Sequence, residues 1–165
     1  MKTIRRWKIY NAPPEKVFVY LDDLGVTGMH MTKSSAMMMG SKLRLQYLTT
    51  NHTGPGSKYR WTGKMLGMNM DFTVEVTRWN RGVEKVWETI GEAKMIIYSW
   101  YRMHLKLWKN EDKTVAELSI TYEPPKGWFF KMVSFLVAAW YCNWCLKNML
   151  DDTQKFLELR KTQNK

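Results

Sequence analysis

The chain has 165 residues, with 26 Lys+Arg against 15 Asp+Glu and a formal net charge of +11. A hydrophobic fraction of 45% in periodic segments excludes a disordered or collagen-like chain, and the length fits one domain that buries a core without disulfide or metal staples. The 9 Trp and 13 Met supply flat and flexible apolar bulk, which suits an irregular core or an internal cavity.

Residues 3–11 set Ile4, Trp7 and Ile9 among basic side chains and predict an opening strand. Pro13-Pro14-Glu15 then starts a helix: proline is tolerated in the first turn, and Glu15 complements the positive helix end. Val17, Phe18, Leu21 and Leu24 fall at helical spacing, so an amphipathic helix is predicted to about Leu24. Residues 25–40 read as irregular, with a second short helix near their start and a Met37-Met38-Met39 run. From residue 41 the pattern changes to strands, predicted over 42–47, 58–65, 69–79, 83–90, 95–108 and 114–123. The short breaks at Gly67, Asn80-Arg81-Gly82, Gly91 and Asn110-Glu111-Asp112 make the sheet an antiparallel meander. Pro124-Pro125-Lys126-Gly127 ends it, and one long helix follows to about Leu159. The fold class is therefore α+β, with one helix to cover one face of the sheet.

Residues 128–146 carry a single charge, Lys131, and have about the length of a membrane span. Ser134, Trp140, Tyr141, Asn143 and Trp144 give the stretch mixed polarity, and it runs into an amphipathic continuation. It reads as a long helix that is apolar nearly all round in its first half. Cys142 and Cys145 lie inside this helix. A redox Cys-x-x-Cys needs its first thiol at a helix N-terminus, so these read as small apolar fillers. Two cysteines make no disulfide framework, and Met1 to Trp7 lacks the apolar run of a secretory signal, so the expected compartment is cytoplasmic. His30, His52 and His104 are scattered and no metal site is expected.

Asn11-Ala12-Pro13-Pro14-Glu15-Lys16-Val17-Phe18-Val19-Tyr20-Leu21 has the strand-to-helix order of a known family. Tyr59-Arg60-Trp61-Thr62-Gly63, the strand Phe72 to Trp79, Thr114-Val115 leading to Tyr122-Glu123-Pro124-Pro125, and the closing Phe156-Leu157-Glu158 follow in the same order. On these residues the chain resembles the START-like or polyketide cyclase/dehydrase (SRPBCC) superfamily. It departs from the family's usual pattern after the first helix, at Gly25-Val26-Thr27-Gly28-Met29-His30-Met31. The resemblance implies a helix-grip fold: a curved antiparallel sheet of about six to seven strands wrapped round a long C-terminal helix. It implies a single START-like domain over residues 1–159, followed by a polar tail at 160–165. It also implies a cavity for a hydrophobic or amphipathic small molecule, of lipid, isoprenoid or polyketide type. Members of the superfamily include carriers, receptors and cyclases, so fold does not settle function.

Strand alternation selects the side chains expected to face such a cavity. These are Tyr47, Trp61, Met70, Phe72, Tyr101, Met103, Leu118, Ile120 and Tyr122, with Met132, Leu136 and Trp140 from the long helix at helical spacing. Phe129 and Val133 share that helical face. A filled core explains each of these equally well. The hydroxyls of Tyr47, Tyr101 and Tyr122 carry more information, because a buried phenol needs a partner. No Ser-His-Asp order, carboxylate pair, phosphate-binding glycine loop or ligand cluster is present, so no catalytic residue and no cofactor are assigned. Arg60, Tyr47 and Tyr101 are the side chains available to a cyclase-like alternative. Residues 24–70 hold Lys33, Lys42, Arg44, Lys58, Arg60 and Lys64 without an acidic residue. That sector suits an anionic membrane or an acidic protein, whereas the inward phase of the aromatics argues against nucleic acid. Trp128, Phe130, Phe135 and Tyr141 form a candidate apolar patch, which implies a partner subunit or a membrane surface and leaves open a homodimer or a ligand-free docking module.

Overall fold

The computed structural model describes residues 1–27, 43–65 and 67–163. Lys33, the Met37-Met38-Met39 run and Lys42 lie outside them.

The first strand is β1 (Lys2–Tyr10), followed by helices α1 (Pro14–Asp22) and α2 (Leu24–Thr27). Strands β2 (Leu43–Tyr47), β3 (Lys58–Met65), β4 (Met68–Asn80), β5 (Glu84–Lys94), β6 (Trp100–Asn110) and β7 (Lys113–Glu123) come next, and α3 (Trp128–Gln163) closes the chain. The seven strands form one antiparallel sheet in the order β1-β7-β6-β5-β4-β3-β2. Every pairing but one joins sequence neighbours, as a meander requires. The exception brings β1 back beside β7, with Ile4 opposite Ile120. Register shifts between Asp71 and Thr73 and between Val76 and Arg78 bend the long β4–β5 ribbon and help curve the sheet.

The predicted strands hold, with shifted ends. β5 continues through Gly91 to Lys94, and residues 95–99 form a connection rather than the start of β6. The first helix is divided at Asp23 into α1 and α2. α3 runs through Gln163, so the start of the predicted polar tail is helical, and the Arg160 guanidinium lies over the Tyr20 ring.

Alternation puts Met70, Phe72, Val74 and Val76 of β4, Tyr101, Met103, Leu105 and Leu107 of β6, and Ala116, Leu118, Ile120 and Tyr122 of β7 inside. α3 packs across this face against β1, β7, α1 and α2. Its buried side is Ser134, Ala138, Tyr141, Cys142, Leu146, Met149, Leu150, Thr153 and Leu157. Small side chains at 134, 138 and 142 let the helix lie close to the sheet. Tyr10 donates to the Leu150 carbonyl at 2.8 Å and the Lys8 ammonium meets Asp151 at 2.6 Å, pinning the helix to β1.

The C-terminal end of α1 is fixed by a buried ion pair. Lys85 of β5, fully buried, stands 2.6 Å from Asp22 Oδ1 and donates to the Asp22 carbonyl, while Trp79 Nε1 donates to Asp22 Oδ2. A cation here also meets the negative end of the helix dipole. At the other end of α1 the β4–β5 turn packs on Glu15 through Gly82, whose φ of +75° favours glycine. Among the described residues no helix is long and apolar enough to cross a membrane.

Candidate functional site

Between the sheet and α3 lies a cavity of about 60 Å³. Its floor is a set of cross-strand neighbours. Trp61 of β3 pairs with Phe72 of β4, and Trp87 of β5, Met103 of β6 and Ile120 of β7 follow one another across the sheet. Tyr101 extends the floor, and Tyr98 reaches it from the 95–99 connection. Leu24 and Thr27 of α2 close one side, and Tyr141, Cys145 and Met149 of α3 form the roof.

The lining is apolar except for three phenols, a thiol, a threonine hydroxyl and the indole N–H groups. Tyr98 and Tyr101 meet edge to face at 5.5 Å, Phe72 and Tyr101 at 6.0 Å, and Tyr98 also touches Tyr122 at 5.7 Å. Burial pushes the Tyr98, Tyr101 and Tyr141 phenols and the Cys145 thiol above their ordinary values. Burial likewise pushes the Cys142 thiol up to about 12. These groups stay protonated through neutral pH. They offer hydrogen-bond donors and acceptors, and neither thiol is a poised nucleophile. Both cysteines are free, and among the described residues no cluster of metal-ligating side chains occurs.

Of the side chains expected to line a cavity, Trp61, Phe72, Tyr101, Met103 and Ile120 do so. Met70, Leu118 and Tyr122 are buried in the core around it and are not part of its wall. Tyr47 is 40% exposed at the sheet edge, stacked on His52 at 4.0 Å, and lines a separate open groove with Asp22, Asp23, Trp79 and Arg81. Arg60 points outward and grips Asp71 through two hydrogen bonds, away from the cavity.

The helical side chains expected at the cavity lie on the other side of α3. Met132, Leu136 and Trp140 are 49%, 68% and 50% exposed and do not line the cavity. The first half of α3 is apolar nearly all round, so its own periodicity does not fix which side turns inward. The small side chains at 134, 138 and 142 decide it. The Phe129 and Val133 side chains lie outside the described set. Tyr141, expected on an outer patch, is buried and lines the cavity.

Sequence reasoning also passed over Trp87, Tyr98, Cys145 and Met149. The buried Lys85, two residues before Trp87, masks the inward alternation of β5. For the roof a signal existed: carrying the phase of Leu157, Thr153, Met149 and Leu146 back toward the N-terminus leads to Cys142 and Ala138. The basic sector at 24–70 is partly neutralised, because the β3–β4 register sets Glu75 beside Lys58 and Asp71 beside Arg60.

No protein-family model matches the sequence, and no curated protein sequence is significantly similar to it. Solved structures do match in fold. TTHA0849 from Thermus thermophilus superposes with a TM-score of 0.66 at 17% identity, covering 92% of this chain and 97% of that one. Norcoclaurine synthase from Thalictrum flavum, solved in complex with dopamine and hydroxybenzaldehyde, gives a TM-score of 0.65 at 16% identity over 94% of this chain and 86% of the other. Ara h 8.0201 gives 0.59 at 13% identity over 93% and 98%. The chain has the helix-grip fold of these proteins, the fold that the resemblance to the START-like superfamily implied.

Proposed function

We propose that the protein binds a small hydrophobic molecule non-covalently between the sheet and α3, with an aromatic or isoprenoid group among the phenols. The observation that carries this reading is the shared apolar wall contributed by seven elements and the 95–99 connection, in which every titratable group stays neutral. Such a wall holds a guest by burial and orients it through a few hydrogen bonds. The volume sets a condition. An apolar cavity of roughly 150 Å³ accepts benzene, so a cavity of about 60 Å³ must widen to take a guest. Met103 and Met149 have the flexible thioether chains to allow it, and Tyr98 sits on a connection rather than in a strand. The fold also houses a protein crystallised with two aromatic molecules, norcoclaurine synthase. Thermal unfolding against a panel of aromatic and isoprenoid compounds tests the reading. A raised midpoint that disappears in Cys145→Leu, where the added methyl groups fill the cavity, is expected. A flat response across the panel would count against it.

The small volume favours a second reading, in which the cavity residues serve only as core and the domain acts by docking through its surface. A cyclase-like reaction finds less support, since among the described residues no acid or base with a value shifted toward neutrality faces the cavity.

A further inference from the structure

On its outer side α3 carries Trp128, Met132, Phe135, Leu136 and Trp140, at i, i+4, i+7, i+8 and i+12. That spacing sets them along one side of a helix. They are 79%, 49%, 72%, 68% and 50% exposed, roughly a third of a turn away from the side that packs on the sheet. The stripe is about 18 Å long and ends at Asn143, which is bonded to Arg6 and to the Ala139 carbonyl. Isolated exposed apolar residues need no explanation, but a continuous aromatic stripe does.

The charge around the stripe is predominantly positive, although Lys8 and Lys147 are both paired with Asp151. Residues 124–150 contain Lys126, Lys131 and Lys147 and no Asp or Glu. The neighbouring edge strand β1 carries Lys2, Arg5, Arg6 and Lys8, and the first carboxylate of the chain is Glu15. The two regions meet, because Lys2 Nζ stands 4.8 Å from the centroid of the Phe135 ring. Glu92 does share a groove with Phe130, and Lys94 and Lys126 line the same groove.

We propose that this face docks on an anionic lipid bilayer, the stripe entering the boundary between headgroups and acyl chains while β1, Lys126 and Lys131 meet the headgroup charge. Pairing of two copies through the stripe would gather Lys2, Arg6, Lys126 and Lys131 with an excess of positive charge, which like-charge repulsion opposes. An anionic bilayer supplies both apolar depth and the opposite charge, and tryptophan is a residue of that boundary. The proposal does not depend on what the cavity holds, although the turns that follow the stripe, with Tyr141, Cys145 and Met149, make the cavity roof.

Flotation with lipid vesicles tests it. The protein should float with phosphatidylcholine vesicles containing phosphatidylserine, and at least about tenfold more weakly with phosphatidylcholine alone or in high salt. Phe135→Ser with Leu136→Ser, both at exposed positions, should weaken binding by about tenfold while circular dichroism and the unfolding midpoint stay those of the parent. Lys126→Glu with Lys131→Glu should remove the preference for anionic lipid without touching the stripe. Equal binding by the serine variant overturns the proposal, as does indifference to lipid charge. A dimer that the serine variant dissolves, with no vesicle binding by the parent, overturns it in favour of self-association. Retention of a ligand is read separately, so failure here leaves the cavity reading standing.

Discussion

Lys85 is the residue that a sequence reading treats as surface and the fold treats as core. Lysines are almost never fully buried unless paired, and here the pair is Asp22, at the end of a helix more than sixty positions away. Nothing in the local pattern Glu84-Lys85-Val86-Trp87 announces that partner, so the pair was not legible. Burial lowers the Lys85 value, and the carboxylate of Asp22 works the other way. Removing one member strands the other: Lys85→Met should cost about 3–5 kcal/mol in urea unfolding, and adding Asp22→Asn should restore part of it. A cost below about 1 kcal/mol would mean that water reaches the pair. Asp151 behaves differently. Burial tends to raise its value, but hydrogen bonds from Lys8 and Lys147 outweigh this and hold it below the ordinary range. The stability it contributes is therefore present above the ordinary aspartate value of about 3.9 and is lost as pH falls through the lower folded value. Asp151→Asn should cost about 0.5–1 kcal/mol at neutral pH, and less once the solution is more acidic than the folded value. The same penalty at both pH values would place its role in packing instead.

At the scale of elements, the strands were legible because alternation of period two survives on β4, β6 and β7, where nearly every inward position is apolar. Phe72, Tyr101, Met103 and Ile120 of the cavity wall came from that alternation, and Trp61 from its place on the neighbouring β3. α3 was legible as a helix and illegible as a surface. Aromatics surround its first half, and only the small side chains at 134, 138 and 142 mark the inner side. The consequence is a helix with two apolar faces, one roofing the cavity and one facing out. Substitutions on the two faces should separate. Cys145→Leu should leave vesicle binding intact and abolish the thermal shift by cavity ligands. Phe135→Ser with Leu136→Ser should do the reverse. Loss of both properties in either variant would show that the faces are not independent.

For the whole molecule, the order of elements carried most of the information: one strand, a Pro-initiated helix, a meander, then one long helix. That order leaves few ways to hide the sheet's inner face, and the helix-grip arrangement is the one observed. Charge was harder to read from the sequence. The run of cations at 24–70 stood out because it lacked acids of its own, yet antiparallel register supplied Asp71 and Glu75 from the next strand. The charges of β1 and the first half of α3 lie far apart in sequence and become one surface only when β1 returns beside the helix. The central claim concerns the space between sheet and helix, and native mass spectrometry of the purified protein, followed by denaturing extraction, tests it most directly. A discrete added mass that is released on unfolding as an aromatic or isoprenoid compound, and is missing from Cys145→Leu, is the expected result. A clean mass of the bare chain, unchanged after incubation with such compounds, would contradict it.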